Sequence, residues 1–164
     1  MDLMIHDIDI ILKVVKSKVK KINASGVSII STTPDIANAR IEFENGCIAN
    51  LTSSRISLKK MRKTRIFQED AYISINFLEK DFQVVKIRWK EPNDSDSSII
   101  IKNNLGEEKV IFFEKPEIVE INSIESELND FFGSINSDSE SEVPLRDGLL
   151  ALEVAEEILN QIWA

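Results

Sequence analysis

Residues 37–55 read ANARIEFENGCIANLTSSR and contain the strongest hairpin signal in the chain. Asn45-Gly46 separates two alternating runs, and this dipeptide adopts positive φ at both central positions of a tight turn. In the first run, apolar side chains alternate with polar ones and share one face: Ala37, Ala39, Ile41 and Phe43. The stretch therefore predicts two antiparallel strands with one buried face and one face in water.

Helix and strand patterns flank this hairpin. From Asp2 to about Lys16 the apolar residues follow helical spacing, and a β-rich run extends from Ile22 to Ile30. Beyond the hairpin, further strand signals continue from Ile66 to Phe113, with a polar loop at Asn93–Ser98. This part of the chain predicts one helix followed by about six to eight strands.

The last quarter of the chain changes to helical periodicity. Asn122 and Glu125 are spaced as a capping pair before an apolar stripe that ends at Ile135. A second amphipathic stripe extends from Leu149 to Trp163. Because a run of strands followed by helices is typical of α+β domains, we predict a single α+β domain over residues 1–164. It would be a predominantly antiparallel open β-sheet with helices on one face.

The composition excludes several kinds of partner and location. The chain has 164 residues, of which 43% are hydrophobic, enough for one buried core. A net charge of -8 disfavours binding to nucleic acid or to an anionic membrane. Cys47, the single cysteine, excludes a disulfide framework and is predicted to be buried in a strand. Since no apolar run could span a bilayer and no signal peptide precedes the first helix, we expect a cytoplasmic protein.

His6 is the only histidine of the chain, and three aspartates lie close to it. On a helix, Asp2 and His6 share one face because they are four positions apart. A carboxylate one turn from an imidazole can orient the ring for general acid/base chemistry. The alternative is a solvated first turn whose aspartates suit the helix dipole. A metal site formed by Asp2, His6 and Asp9 would need at least one more ligand, so we predict no metal site.

Basic residues are concentrated between Lys59 and Arg65. Arg62, Lys63 and Arg65 could bind a phosphate or pyrophosphate group. The alternative is a solvated turn and an edge strand that its charges protect from pairing with other chains.

Three segments of the chain resemble a known protein family: Asp2–Asp9 with its Asp-x-x-x-His pattern, the hairpin Ala37–Arg55, and Asp147–Ala155. Together they resemble the C-terminal domain of the Gfo/Idh/MocA family of NAD(P)-dependent oxidoreductases. The resemblance implies hydride transfer between a nicotinamide ring and a hydroxyl-bearing carbon of a sugar or polyol. It also implies that His6 is the acid/base, that Asp2 orients it, and that Arg62, Lys63 and Arg65 suit a nucleotide-sugar substrate.

The dinucleotide-binding part of such an enzyme is not found in this sequence. The chain has five glycines and no Gly-x-Gly-x-x-Gly pattern, so we expect the N-terminal Rossmann domain to be absent. Glu114-Lys115-Pro116 matches the catalytic tripeptide of the family but follows a late strand, and we interpret it as a strand end. We therefore expect a piece of a longer enzyme that uses NAD or NADP, inactive alone and without bound cofactor.

Several of the predicted strands carry apolar residues on both faces. The second face must then be covered, and we predict a homo-oligomer formed through the open sheet face. The alternative function is a non-catalytic dimerisation or sugar-binding module on the same fold.

Overall fold

The computed structural model describes residues 3–91, 99–102 and 104–163. Its helices and strands, in chain order, are α1 Ile5–Val15, β1 Val19–Val27, β2 Ile36–Phe43, β3 Ile48–Ser54, β4 Lys63–Phe67, β5 Ala71–Asn76, β6 Asp81–Trp89, β7 Ile99–Lys102, β8 Glu108–Glu114, α2 Ser123–Ser137 and α3 Leu145–Trp163. The chain divides into two compact units, the first made of Met1–Leu58 with Ser123–Ala164 and the second of Lys59–Asn122. The predicted loop Asn93–Ser98 lies outside the described residues. For the rest of the chain, the predicted order of helices and strands is confirmed.

The hairpin around Asn45-Gly46 is confirmed and forms the centre of the first unit, but the predicted positive φ is found at Gly46 and not at Asn45. β2 and β3 pair antiparallel, with Ile41 opposite Ala49, and β1 pairs with the other edge of β2. Gly46 has a φ of 85°, and the N–H of Cys47 donates to Asn45 Oδ1 at 3.0 Å. The turn dipeptide therefore sets the register that gives the sheet its apolar face.

The apolar face of this sheet forms the core of the first unit with α1 and α3. Side chains from all three parts are buried: Met4, Ile8, Ala37, Ala39, Ile41, Phe43, Leu51, Ala151, Val154, Ala155 and Ile158. Gly26 permits close packing of α3, because a Cβ there would lie 2.8 Å from Ile162 Cγ2. The opposite face is polar, with Thr52 Oγ1 2.8 Å from Asn38 Oδ1, so the prediction of one face in water is confirmed.

Two local predictions in the first unit are wrong. β1 extends over Val19–Val27 rather than Ile22–Ile30, because the backbone N–H groups of Ile29 and Ile30 bond to the Asp35 carboxylate instead of a neighbouring strand. Cys47 is exposed rather than buried, since it belongs to the turn before β3.

The second unit is a five-stranded antiparallel sheet in the order β4-β5-β6-β8-β7. The α+β class and the antiparallel pairing are confirmed. The strands form two sheets, however, where the sequence predicted one open sheet. The single-domain interpretation of residues 1–164 stays a prediction.

Helix α2 does not cover the three-stranded sheet of its own unit. It has no buried residue, and the side chains of its apolar stripe are each at least 61% exposed: Ile124, Leu128, Phe131, Phe132 and Ile135. The predicted covering of a sheet by helices therefore holds for α1 and α3 alone. Among the described residues, no helix has the length and apolar character needed to cross a membrane.

Candidate functional site

The first turn of α1 presents His6 on the surface. Met4 and Ile8, on either side of it in sequence, are 1% and 0% exposed because they pack into the core. Since successive helical residues are about 100° apart, His6 lies on the far side of the helix from both and is exposed. Asp2 lies outside the described residues, so its pairing with His6 stays a prediction.

A loop that follows β1 is closed by Asp35, which is 4% exposed. Its Oδ2 accepts hydrogen bonds from the backbone N–H groups of Ile29, Ile30 and Ser31 at 2.7–3.0 Å, and its Oδ1 accepts one from Ser31 Oγ at 2.7 Å. The backbone N–H groups of Ser31, Ile30 and Ile29, in that order, hold the pKa of Asp35 far below its ordinary value. The carboxylate thus stays ionised and fixes the loop.

This loop positions Arg55 near the start of α1. The N–H of Arg55 donates to Asp35 O at 2.9 Å, and its Nη1 donates to Thr33 Oγ1 at 3.3 Å. A cavity of about 20 Å³ is lined by residues of α1's N-terminal end, the loop and the end of β3, including Leu3, Met4 and Arg55. A guanidinium near the positive end of a helix dipole can bind an anionic group.

Sequence reasoning missed Asp35 and Arg55. For Arg55 the signal is one of position alone, because it continues the spacing of Ala49, Leu51 and Ser53 beyond the end of β3 but, unlike them, is exposed. No comparable signal marked Asp35, whose role depends on how the preceding residues fold back.

The three predicted basic residues lie in the second unit. The guanidinium carbon of Arg62 lies 5.1 Å from the ring centroid of Phe77, a cation–π contact. Lys63 and Arg65 are two positions apart on β4 and therefore share one face of an exposed edge strand. The edge-strand position is confirmed, and the phosphate-binding role stays a prediction.

The Glu114-Lys115-Pro116 tripeptide lies at the end of β8, as interpreted from the sequence. Glu114 pairs with Lys86 at 2.9 Å, and Lys115 Nζ lies 3.1 Å from Asp81 Oδ1. Its charges therefore form surface ion pairs within the second unit.

The glycines of the chain do not form a site for a dinucleotide. Gly46 and Gly106 have positive φ outside the helices and strands, Gly26 lies in β1, and Gly133 and Gly148 lie within helices. None forms a strand-turn-helix cradle of backbone N–H groups for a pyrophosphate. Within the described ranges, no group of three or more His, Cys, Asp or Glu residues could hold a metal ion.

Replacing Asp35 with asparagine is expected to make the free energy of unfolding less dependent on pH in the acid range. Because the pKa of Asp35 is lowered in the folded state, its contribution is present above the unfolded pKa of about 4 and is lost as the pH falls below it. Urea unfolding between pH 5 and 3 should therefore show a shallower loss of stability in Asp35→Asn than in the wild type. An unchanged slope would contradict this role, and Asp70→Asn, at an exposed position between β4 and β5, is the control.

Comparison with known proteins gives the relatives of this chain. Residues 1–74 match the family model described as GFO/IDH/MocA C-terminal domain. Over 84 residues, 51% of this chain and 27% of the relative, the sequence is 37% identical to UDP-N-acetylglucosamine 3-dehydrogenase from Acidithiobacillus ferrooxidans.

Solved structures extend the similarity to almost the whole chain. A structure of the same Acidithiobacillus ferrooxidans enzyme matches 97% of this chain with a TM-score of 0.81 at 23% identity. Levoglucosan dehydrogenase in complex with NADH and levoglucosan matches 98% with a TM-score of 0.73 at 17% identity. The chain spans about half of these structures, 47% in both cases. Residues 1–74 are therefore similar to the GFO/IDH/MocA C-terminal domain family, and the chain has the fold of about half of each of these dehydrogenases.

Proposed function

We propose that this chain is the substrate-binding and oligomerisation half of an NAD(P)-dependent oxidoreductase that acts on a hydroxyl group of a nucleotide sugar. The observation that carries the proposal is the position of His6, exposed on α1 within the 74 residues that match the family model. The 37% identity to a UDP-N-acetylglucosamine 3-dehydrogenase supports the substrate class.

In this proposal His6 is the acid/base of the reaction. Its imidazole accepts the proton of the substrate hydroxyl while the carbon that bears this hydroxyl is oxidised. Asp2, four residues before it in the sequence, orients the ring. Exposure of His6 supports the assignment because an acid/base must reach a ligand, and no hydrogen bond within the described part of the chain occupies the imidazole.

Two separate sets of cations are candidates for binding the diphosphate of the substrate. Arg62, Lys63 and Arg65 of the second unit suit a diphosphate, and Arg55 of the first unit is a further candidate close to the start of α1. Arginine is well matched to phosphate because its planar donors bind two oxygens together. With a net charge of -8, local cation clusters rather than the overall field would attract such a substrate.

The nicotinamide cofactor would be bound by a separate dinucleotide-binding domain, because the glycines of this chain provide no phosphate cradle. NAD or NADP supplies the hydride acceptor, and the chain alone would be inactive. The part performed by these 164 residues is to position the sugar and to move its hydroxyl proton.

Calorimetric titration of the 164-residue chain with NADH and NADPH is expected to give no specific binding heat. Levoglucosan dehydrogenase, whose structure contains NADH, is the positive control. The protein formed by this chain and a dinucleotide-binding half should reduce NAD or NADP when a UDP-sugar is added. Micromolar affinity of the chain for either dinucleotide would contradict the proposal that a separate domain binds the cofactor.

A second outcome of the same experiment would support the alternative function. If the longer protein binds a UDP-sugar but shows no turnover with either dinucleotide, the chain is a non-catalytic sugar-binding module. If it binds neither sugar nor dinucleotide but self-associates, it is a dimerisation module.

A further inference from the structure

Asp35 connects all three strands of the first unit's sheet at one end. Its backbone N–H donates to Val27 O in β1 at 2.9 Å, and its backbone O accepts from the N–H of Arg55, directly after β3, at 2.9 Å. Its buried carboxylate accepts three backbone N–H groups of the loop 28–34 and the hydroxyl of Ser31. One residue therefore fixes both this loop and the backbone of Arg55.

Thr33 extends this order from the loop to the Arg55 side chain. Its Oγ1 accepts a hydrogen bond from Arg55 Nη1 at 3.3 Å and lies 3.3 Å from Ser31 Oγ, to which it can donate. Ser31 Oγ in turn donates to Asp35 Oδ1 at 2.7 Å. The donors thus form a chain that begins at the guanidinium and ends at the carboxylate, and each hydroxyl in it accepts one bond and donates one.

Most of the Arg55 guanidinium is available to a ligand. The bond to Thr33 is the single side-chain hydrogen bond that Arg55 makes within residues 3–91, 99–102 and 104–163, and no carboxylate of those residues pairs with it. The exposed Arg40, by contrast, pairs with Glu42 at 3.5 Å. A guanidinium has five N–H donors in a planar fork, so the donors that remain can bind two oxygens of a phosphate.

Arg55 and His6 lie at the same end of the first unit. The small cavity lined by Arg55 is also lined by Leu3 and Met4, the two residues that precede α1, and His6 is the second residue of that helix. In a nucleotide sugar the diphosphate is bonded directly to the sugar ring. The cation that binds the diphosphate and the acid/base that acts on the sugar therefore have to lie on neighbouring elements, as these two residues do.

We propose that Asp35 is a positioning residue for substrate binding, which through Thr33 holds the Arg55 guanidinium in the orientation that binds the diphosphate of a nucleotide sugar. This inference rests on the proposed function, in which Arg55 is a candidate for that role. Holding a long side chain in place before the ligand arrives lowers the entropy lost when the complex forms. The ionised carboxylate also polarises the chain of hydroxyls, which makes Thr33 Oγ1 a better acceptor for Arg55.

Steady-state kinetics of the longer enzyme with a UDP-sugar test the inference. Thr33→Val removes the hydroxyl that accepts from Arg55 and is expected to raise KM about two- to tenfold without changing kcat. Arg55→Gln is expected to raise KM about tenfold or more, because it removes the charged donors. In the Arg55→Gln background, Thr33→Val should have no further effect, since Thr33 acts through Arg55.

Asp35→Ala breaks the same chain of hydrogen bonds at its other end. It should raise KM at least as much as Thr33→Val does, and this rise should also disappear in the Arg55→Gln background. A merely structural role would lower activity to the same degree in both backgrounds. Thermal unfolding shows which variants are folded at the assay temperature, and the exposed position of Thr33 keeps Thr33→Val testable if Asp35→Ala is unfolded.

Thr52→Val is the matched control, because Thr52 is also exposed and its Oγ1 bonds to Asn38 rather than to Arg55. Its KM should equal that of the wild type. An unchanged KM in Thr33→Val, a loss confined to kcat, or an equal rise in both backgrounds would overturn the inference and leave the proposed function intact. A wild type without affinity for a UDP-sugar would contradict the proposed function itself, and this inference with it.

Discussion

Replacing His6 with alanine in the longer enzyme is expected to lower turnover by about a hundredfold or more. Removing a general base from a reaction that breaks an O–H bond typically costs this much, because water replaces the base in a less favourable position. Binding of the dinucleotide should be unchanged, since His6 lies in this chain and the dinucleotide would be bound elsewhere. Initial rates with a UDP-sugar, together with dinucleotide titration, measure both quantities.

Asp9→Asn is the matched control for this substitution. Asp9 lies on the same helix, three residues beyond His6, and is partly buried. Its substitution should leave turnover within about twofold of the wild type, because it takes no part in the proposed proton transfer. Near-normal turnover in His6→Ala would remove His6 from the mechanism, and a large loss in Asp9→Asn would revive a role for this carboxylate.

Phe43→Ala is expected to be the most destabilising single substitution in the first unit. Phe43 is 1% exposed and has the largest side chain among the fully buried residues. Truncating a buried phenylalanine removes its transfer free energy and leaves a cavity, at a cost of about 3–5 kcal/mol. Since a whole domain has a free energy of unfolding of about 5–15 kcal/mol, the urea midpoint should fall sharply.

Phe132→Ala provides the matched comparison. The Phe132 side chain on α2 is 66% exposed, so its truncation should change the free energy of unfolding by no more than about 0.5 kcal/mol. If the two substitutions lowered the free energy of unfolding equally, Phe43 would not belong to the core of the first unit.

The sequence predicted the elements of the fold well because their signals are local. Asn45-Gly46 and the alternation from Ala37 to Phe43 determine the hairpin and its buried face without reference to distant residues. The edge position of β4 with its basic residues was predicted for the same reason.

Features that depend on distant parts of the chain were predicted less well. The sequence could not distinguish two sheets from one open sheet, because alternation predicts a strand but not which strands pair with it. The end of β1 was misplaced because Asp35, which draws the preceding N–H groups away from the strand, acts across a loop. His6 was proposed from its spacing to Asp2, whereas the position of Arg55 depends on that same loop.

The first unit is assembled from both ends of the chain, and this has a consequence for the order of folding during synthesis. Residues 59–122 are contiguous and can pair their strands as soon as they emerge from the ribosome. The hairpin around Asn45-Gly46 has to wait for Ala151, Val154 and Ile158, which are made roughly a hundred residues later. Until then α1 alone is available to cover its apolar face, so a nascent chain that lacks α3 is the form most exposed to chaperones and proteases.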